Sequence, residues 1–143
     1  MSFDGTPGPD DRYARWAMPS NSSAPSIQIF GLDGDQATRA AIRFFKERRV
    51  AYSFVDLRRR PIAPAELRRF IGRLGARVVL DESSRAYLEA GLGYLRLDDA
   101  GIEERLLADV RLLRLPLVRH GNDVAAGRAE STWTDWIRTD RGS

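Results

Sequence analysis

The chain has no cysteine among its 143 residues. This absence excludes disulfides, thiolate metal ligands and any thiol redox chemistry carried by the chain itself. His120 is the only histidine, which excludes a metal site built from several histidines. A carboxylate metal site stays open, although the sequence has no recognisable motif for one. We therefore predict no bound metal and no cofactor.

Long apolar runs are also missing, so the sequence predicts no transmembrane span. The first residues, Met1–Asp4, lack the basic-then-apolar order of a secretory signal. With 43% hydrophobic and 30% charged residues, the chain is long and apolar enough to bury one core. We expect a cytoplasmic, monomeric protein that does not associate with membranes.

Acidic residues are scarce between Arg39 and Arg77, where 12 basic residues stand against 3 acidic ones. Arginine binds phosphate and carboxylate groups, so this stretch is a candidate surface for an acidic protein partner. Coding bias toward arginine, or a solvated face without a partner, would give the same counts. Aromatic residues are not interleaved with these arginines, which makes nucleic-acid binding the weaker alternative. The candidate partner-binding residues are Arg58, Arg59, Arg60, Arg68 and Arg69.

Composition divides the chain into three parts. Residues 1–25 are rich in Gly, Pro, Ser, Asn and Asp, which predicts a disordered N-terminal leader. Residues 26–138 form the predicted domain, and residues 139–143 a C-terminal tail. The leader is expected to be a loose tail, and the alternative is that Tyr13, Trp16 and Met18 dock on the domain or on a partner.

The domain is organised around Ser26–Arg48. An apolar strand, Ile27–Phe30, leads into a loop with two glycines and two aspartates, and the loop opens into a helix. Free backbone N–H groups converge at such a helix start, which is where α/β proteins often keep their chemistry. This loop, however, contains no serine, histidine or lysine that would carry out or assist such chemistry.

The remaining patterns complete an α/β fold. Because one helix connects the first two strands, these strands are expected to be parallel with a right-handed crossover. A helical region from Ala76 to Leu113 follows, in which Asp98 or Asp99 caps one helix. The predicted elements up to residue 90 are a strand at Ala51–Leu57, a helix at Pro64–Leu74 ended by Gly75, an apolar turn at Val78–Leu80 and a short helix at Ser84–Ala90. After the helix capped by Asp98 or Asp99, an apolar run at Leu112–Val118 leads into a strand. A hairpin turn at His120–Asp123, a strand at Val124–Ala126 and a helix at about Ala129–Arg138 complete the list.

This order, β-α-β, a helical insertion and then β-β-α, is that of a thioredoxin-like fold. From about Ser26 to Ile137 the chain resembles the ArsC family, which comprises glutaredoxin-linked arsenate reductases and Spx-type transcription regulators. The order and spacing of four stretches carry the resemblance. They are Ile27–Leu57 (with T-R-A-A-I-R-F-F), P-A-E-L-R-R-F-I-G-R-L-G at Pro64–Gly75, the helical region ending in L-L-R-L-P-L-V at Val118, and R-H-G-N-D-V-A-A-G at Arg119–Gly127.

The resemblance implies a reactive cysteine at the start of the first helix, often with a second cysteine following in a C-x-x-C motif. Here Asp35 and Thr38 occupy these positions, so neither thiol is present. A carboxylate cannot undergo thiol–disulfide exchange, and a threonine nucleophile needs an adjacent base. We expect Asp35 to cap the helix and Thr38 to bond the backbone of its first turn.

The resemblance also implies an arsenate-binding arginine just before a cis-proline. Leu115 stands at that position, with Arg114 one residue earlier, and Pro116 aligns with the cis-proline. Asp33 and Asp35 place negative charge where an oxyanion would bind, which argues against arsenate reduction. His120 is interpreted as a turn residue. The candidate pocket consists of Asp33, Gly34, Asp35, Gln36, Thr38, Arg39, Arg114, Leu115 and Pro116.

The sequence thus predicts a redox-inactive ArsC/Spx-like binding or regulatory module without a catalytic residue. Because Spx-type proteins dock on RNA polymerase, the resemblance suggests that enzyme, by analogy alone, as an acidic partner. One alternative is a non-thiol enzyme or a glutathione- or oxyanion-binding protein that uses the remaining pocket. Another is nucleic-acid binding through the Arg39–Arg77 face.

Overall fold

A computed structural model describes residues 26–142, and the leader predicted at residues 1–25 lies outside them. Four strands form one sheet, in the order β2-β1-β3-β4. The strands are β1 (Ile27–Gly31), β2 (Tyr52–Asp56), β3 (Leu117–His120) and β4 (Asp123–Ala126). The helices are α1 (Gln36–Glu47), α2 (Pro64–Leu74), α3 (Ala76–Val79), α4 (Arg85–Glu89), α5 (Asp99–Ala108) and α6 (Glu130–Gly142).

The predicted βαβ unit and thioredoxin-like order are both confirmed. β1 pairs with β2 in parallel, whereas β3 pairs with β1 and with β4 in the antiparallel sense. The β3–β4 hairpin turns through Gly121, which has φ +60°, a conformation that glycine adopts without steric cost. These pairings place the end of β1 beside the start of β3.

Side chains alternate across β1, and this alternation divides the core between the two faces of the sheet. Ile29 packs with Phe45 of α1 and Trp133 of α6 on one face. Phe30 packs with Phe70 of α2 on the other face, at 5.8 Å between ring centroids in an edge-to-face arrangement. The sheet is therefore covered by α1 and α6 on one side and by α2 and the helical insertion on the other.

Several helix ends follow directly from the sequence. Asp98 caps α5, with its Oδ1 accepting from the N–H of Gly101 at 2.8 Å. Gly75 ends α2 at φ +96°, in the region that favours glycine. The helix α6 continues to Gly142, through residues that the sequence assigned to a C-terminal tail.

The apolar run at Leu112–Val118 leads into a strand as predicted, but only its last two residues belong to the strand. Val110–Leu112 forms a 3₁₀ turn, Leu113 makes an isolated bridge with Leu80, and β3 begins only at Leu117. The apolar pattern alone does not separate these cases, because a buried turn and a buried strand are both apolar runs. Likewise, Val78 and Val79 belong to the short helix α3.

None of the helices within residues 26–142 is long and apolar enough to cross a bilayer.

Candidate functional site

The loop between β1 and α1 holds the position at which the resemblance places a cysteine. Asp35 closes the loop with an N–H bond to the carbonyl oxygen of Leu32 (3.0 Å) and then serves as the N-cap of α1. Its Oδ2 accepts from both the backbone N–H and the hydroxyl of Thr38, each at 2.8 Å. The N-cap prediction is confirmed. The Thr38 hydroxyl, which was expected to bond backbone, donates to the Asp35 carboxylate instead.

Thr38 is fully buried and fits against Gly31, the last residue of β1. A Cβ at Gly31 would overlap the Oγ1 and Cγ2 atoms of Thr38. Glycine at residue 31 therefore allows the first turn of α1 to lie directly against the strand. Because its hydroxyl is buried and hydrogen-bonded, Thr38 has no exposed nucleophile to offer.

We expect loss of the Asp35 cap to be measurable. Asp35→Ala leaves the Thr38 N–H and hydroxyl without their acceptor, so it should lower the free energy of unfolding by about 1–2 kcal/mol. Asp35→Asn should lower it by less, because the amide oxygen still accepts a hydrogen bond. Urea unfolding of both variants tests this order, and an Asp35→Ala variant as stable as the wild type would contradict the capping role.

Pro116 lies beside this loop, as the resemblance implied. The Leu115–Pro116 peptide bond is cis, which confirms the prediction. Phe30 pairs with Leu117, so continuing the same antiparallel register places Gly31 opposite Pro116. The Pro116 carbonyl accepts from the N–H of Gly127 at 2.9 Å. The cis-proline thus lies directly before β3, next to the start of α1.

The backbone just before the proline is open. Among residues 26–142, neither the N–H nor the carbonyl of Leu115 has a hydrogen-bonding partner. Its side chain packs against the core cluster that contains Phe30 and Leu117. Residue 115 therefore offers a backbone donor and acceptor beside the loop, together with an apolar side chain in place of the arginine that the resemblance implies.

Arg114 does not compensate for that missing arginine. Its Nε donates to the carbonyl of Val78 at 2.7 Å, and its Nη2 donates to the carbonyl of Leu80 at 3.2 Å. The aliphatic part of the side chain runs alongside Gly127, where an added Cβ would lie 3.1 Å from the Cδ of Arg114. Arg114 therefore binds the end of α3, and these bonds occupy two of its three nitrogen groups.

The candidate pocket divides into separate parts. Asp35, Thr38, Leu115 and Pro116 lie around the β1–α1 junction, and Gly34 and Gln36 are exposed near it. Asp33 and Arg39 instead line a different, open cavity of about 290 Å³ on the outside of α1. That cavity is completed by Ile42, Arg43 and Lys46. Of the two aspartates of the candidate pocket, Asp35 lies at the β1–α1 junction, whereas Asp33 lines the outer cavity.

The five candidate partner-binding arginines are all exposed, but they differ in their neighbours. Arg68 pairs with Glu103 at 3.0 Å and Arg69 with Glu66 at 3.7 Å. Arg59 lies 3.9 Å from Asp56. Exposed pairs of this kind contribute little free energy and leave the guanidinium groups accessible. In the part of the chain that the structure describes, the guanidinium groups of Arg58 and Arg60 have no carboxylate within ion-pair distance.

His120 ends β3 and contacts two residues of α6 that the sequence gave no reason to connect with it. The ring stacks on Trp136 at 5.4 Å between centroids, and Nε2 lies 2.9 Å from Asp140 Oδ2. The interpretation of His120 as a turn residue is therefore incomplete, because it also joins the hairpin to α6. The described residues contain no group of three or more His, Cys, Asp or Glu side chains able to hold a metal ion.

The sheet order, the cis-proline and the β1–α1 junction together define an ArsC-like thioredoxin fold without cysteine. Among solved structures, the protein YFFB aligns with a TM-score of 0.72 at 22% identity, over 76% of this chain and 96% of that one. An arsenate reductase from Vibrio cholerae aligns with a TM-score of 0.68 at 19% identity, over 78% and 98% of the two chains.

An arsenate reductase (ArsC) related protein from Brucella melitensis aligns with a TM-score of 0.62 at 15% identity, over 83% of this chain and 98% of that one. No protein-family model and no curated protein matches the chain. At these identities the comparisons establish the fold, and the site must be judged from its own residues.

Proposed function

We propose that this protein is a redox-inactive binding module that acts through an acidic protein partner rather than through chemistry at the β1–α1 junction. The observation that carries the proposal is the state of Asp35, whose carboxylate stands where the fold's nucleophile would be and accepts two hydrogen bonds from Thr38. With no cysteine in the chain, no other residue can supply the thiol. The junction is thus a structural element.

The partner surface is the basic segment between β2 and α2. Arg58, Arg59 and Arg60 are consecutive and exposed, and Asp56 is the only acidic residue beside them in the sequence. The Asp56 carboxylate accepts from the N–H of Arg58 at 3.0 Å, and its carbonyl accepts from the N–H of Arg60 at 2.9 Å. The loop backbone is therefore held in place while the guanidinium groups extend into solvent, where they suit carboxylates of a partner.

A pair of charge-reversal variants tests this surface. The triple variant Arg58→Glu, Arg59→Glu, Arg60→Glu is expected to reduce partner capture from a lysate of the source cells at least tenfold. The matched control reverses three exposed arginines of the helical insertion, Arg85, Arg96 and Arg105, and should retain capture within twofold. Unchanged capture by the first variant, or equal loss by both, would refute the assignment of this surface. Circular dichroism checks that both variants fold.

The absence of thiol chemistry is tested separately. We expect no arsenate reduction above the protein-free rate when the purified chain is incubated with arsenate, glutathione and glutaredoxin. The assay follows arsenite formation, with an active ArsC-type reductase as the positive control. Turnover that scales with protein concentration would contradict a redox-inactive role, whatever the outcome of the partner capture.

The alternative function is binding of a peptide-like small molecule, such as glutathione, at the cis-proline. The open N–H and carbonyl of Leu115 favour it, because an extended peptide backbone can pair with both groups. Glutathione titration of ¹⁵N-labelled protein distinguishes the two functions. Saturable shifts of the Leu115 and Leu117 amides would support glutathione binding as the function. If no shifts occur at millimolar glutathione, this alternative is excluded and the binding of a protein partner is retained.

A further inference from the structure

The C-terminal ends of α1 and α6 line an open cavity of about 500 Å³ at the opposite end of α1 from the cysteine position. Its lining combines three cations with one apolar and one hydroxyl side chain. The lining residues are Arg48, Thr134, Ile137, Arg138 and Arg141. A concave space of this size is within the range of small-molecule sites, which combine apolar walls with a few placed polar groups.

Two of the three arginines are held in place by bonds to the protein. Arg48 lies over the ring of Phe44, 3.7 Å from its centroid, and its Nη1 donates to the Phe44 carbonyl at 3.1 Å. Arg141 donates from Nη2 to the carbonyl of Arg48 at 2.8 Å. Each guanidinium has five N–H groups, so most of its donors remain unused. The side chains are ordered before any ligand arrives, which lowers the entropic cost of binding.

Among the described residues, only one of the three cations of this cavity has a carboxylate partner. Arg138 forms an exposed pair with Asp135 at 3.1 Å. Among residues 26–142, neither Arg48 nor Arg141 has a carboxylate within ion-pair distance. Helix C-termini favour nearby cations, and Arg48 and Arg141 lie at the C-terminal ends of α1 and α6. Arg48 and Arg141 line the same cavity, so an anion bound there would offset their like charges.

The floor of the cavity includes an apolar side chain of the core. Ile137 is 8% exposed and belongs to the core cluster that contains Phe44 and Trp133. Thr134 is half-buried and lies one helical turn before Arg138 on the same face of α6. An inorganic anion would leave the apolar floor uncovered, whereas an anion with an apolar body would cover it.

We propose that this cavity binds a small organic anion, with its phosphate or carboxylate between Arg48 and Arg141 and its apolar body on Ile137. The volume of the cavity suits a small molecule rather than the broad contact area of a protein partner. This site is separate from both the basic loop before α2 and the cis-proline. Its existence does not depend on the function proposed above.

Calorimetric titration of the full chain with four named probes tests the proposal. Phenyl phosphate and benzoate each carry an anion on a ring, inorganic phosphate carries the charge alone, and benzyl alcohol carries the ring alone. We expect saturable binding of phenyl phosphate or benzoate, at least tenfold tighter than that of inorganic phosphate or benzyl alcohol. The stronger of the two anions identifies the preferred headgroup.

Variants locate the binding. Arg141→Gln should weaken the preferred probe at least tenfold, and Arg48→Gln should do the same, whereas Arg96→Gln, an exposed arginine of the helical insertion, should change it less than twofold. Because Arg48→Gln also removes contacts with Phe44, the melting temperature of each variant is measured, and amide shifts at residues 134–141 provide a second readout in the wild type.

Three outcomes would overturn the proposal. They are equal binding by wild type and Arg141→Gln, equal affinity for inorganic phosphate and the aromatic anions, and no saturable binding of any probe.

Discussion

Gly31→Ala is expected to lower the free energy of unfolding by about 3 kcal/mol, the upper part of the range for overpacked cores. The added methyl group would overlap the side chain of Thr38, which is fully buried. Thr38 cannot turn away without losing the bond from its hydroxyl to Asp35. The measurement is the urea midpoint and slope of the variant against wild type.

Gly34, in the loop that follows β1, provides the control. An added Cβ at Gly34 meets nothing within 4 Å, so Gly34→Ala should change stability by less than about 0.5 kcal/mol. The double variant Gly31→Ala, Thr38→Ala should recover part of the loss, because it removes the two atoms that the methyl group overlaps. Equal stability of Gly31→Ala and Gly34→Ala would show that α1 does not pack on β1 as described.

Asp35→Cys is expected to create a reactive thiol with a pKa about one unit or more below the usual 8.5. A thiolate at residue 35 would replace a carboxylate that accepts from the N–H and the hydroxyl of Thr38 at the N-terminus of α1. Hydrogen bonds and the helix dipole both favour the charged form. Since the chain has no native cysteine, the rate of iodoacetamide alkylation against pH reports this thiol alone.

Two further variants separate the causes of that shift. Asn122→Cys places a thiol in the exposed β3–β4 turn and should titrate near 8.5. Adding Thr38→Val to Asp35→Cys removes the hydroxyl donor with little change in shape, so the pKa should rise partway back. If the Asp35→Cys thiol titrates no lower than that of Asn122→Cys, then residue 35 does not occupy the thiolate position of the fold.

We do not expect this thiol variant to reduce arsenate. The resemblance implies an arginine before the cis-proline, and this chain has Leu115 packed into the core and Arg114 bound to the carbonyls of Val78 and Leu80. The thiol introduced at residue 35 therefore supplies only one of the two groups, a thiol and an arginine, that the resemblance associates with arsenate reduction. A fold shared with arsenate reductases is thus compatible with a protein that binds without reacting.

Local patterns predicted much of this fold because their physical causes are local. The helix α2 begins at Pro64 and ends before Gly75 as expected, since proline suits a first turn and glycine suits the positive φ at the end. Asp35 was recognised as a cap for the same reason. The apolar run at Leu112–Val118 leads into a strand as predicted, but no local pattern reveals the bridge between Leu113 and Leu80 that comes before it.

The sequence by itself determined what chemistry this protein lacks and the order of its elements, since composition excludes thiols outright and periodicity reflects each segment's own burial. Only the tertiary structure decided which side chains meet. Arg48 and Arg141 are 93 residues apart in the chain, and Gly31 and Thr38 lie in different elements, yet both pairs are in contact in the folded chain. The reason is physical: long-range contacts depend on how helices pack across the sheet, and residue type alone does not specify that packing.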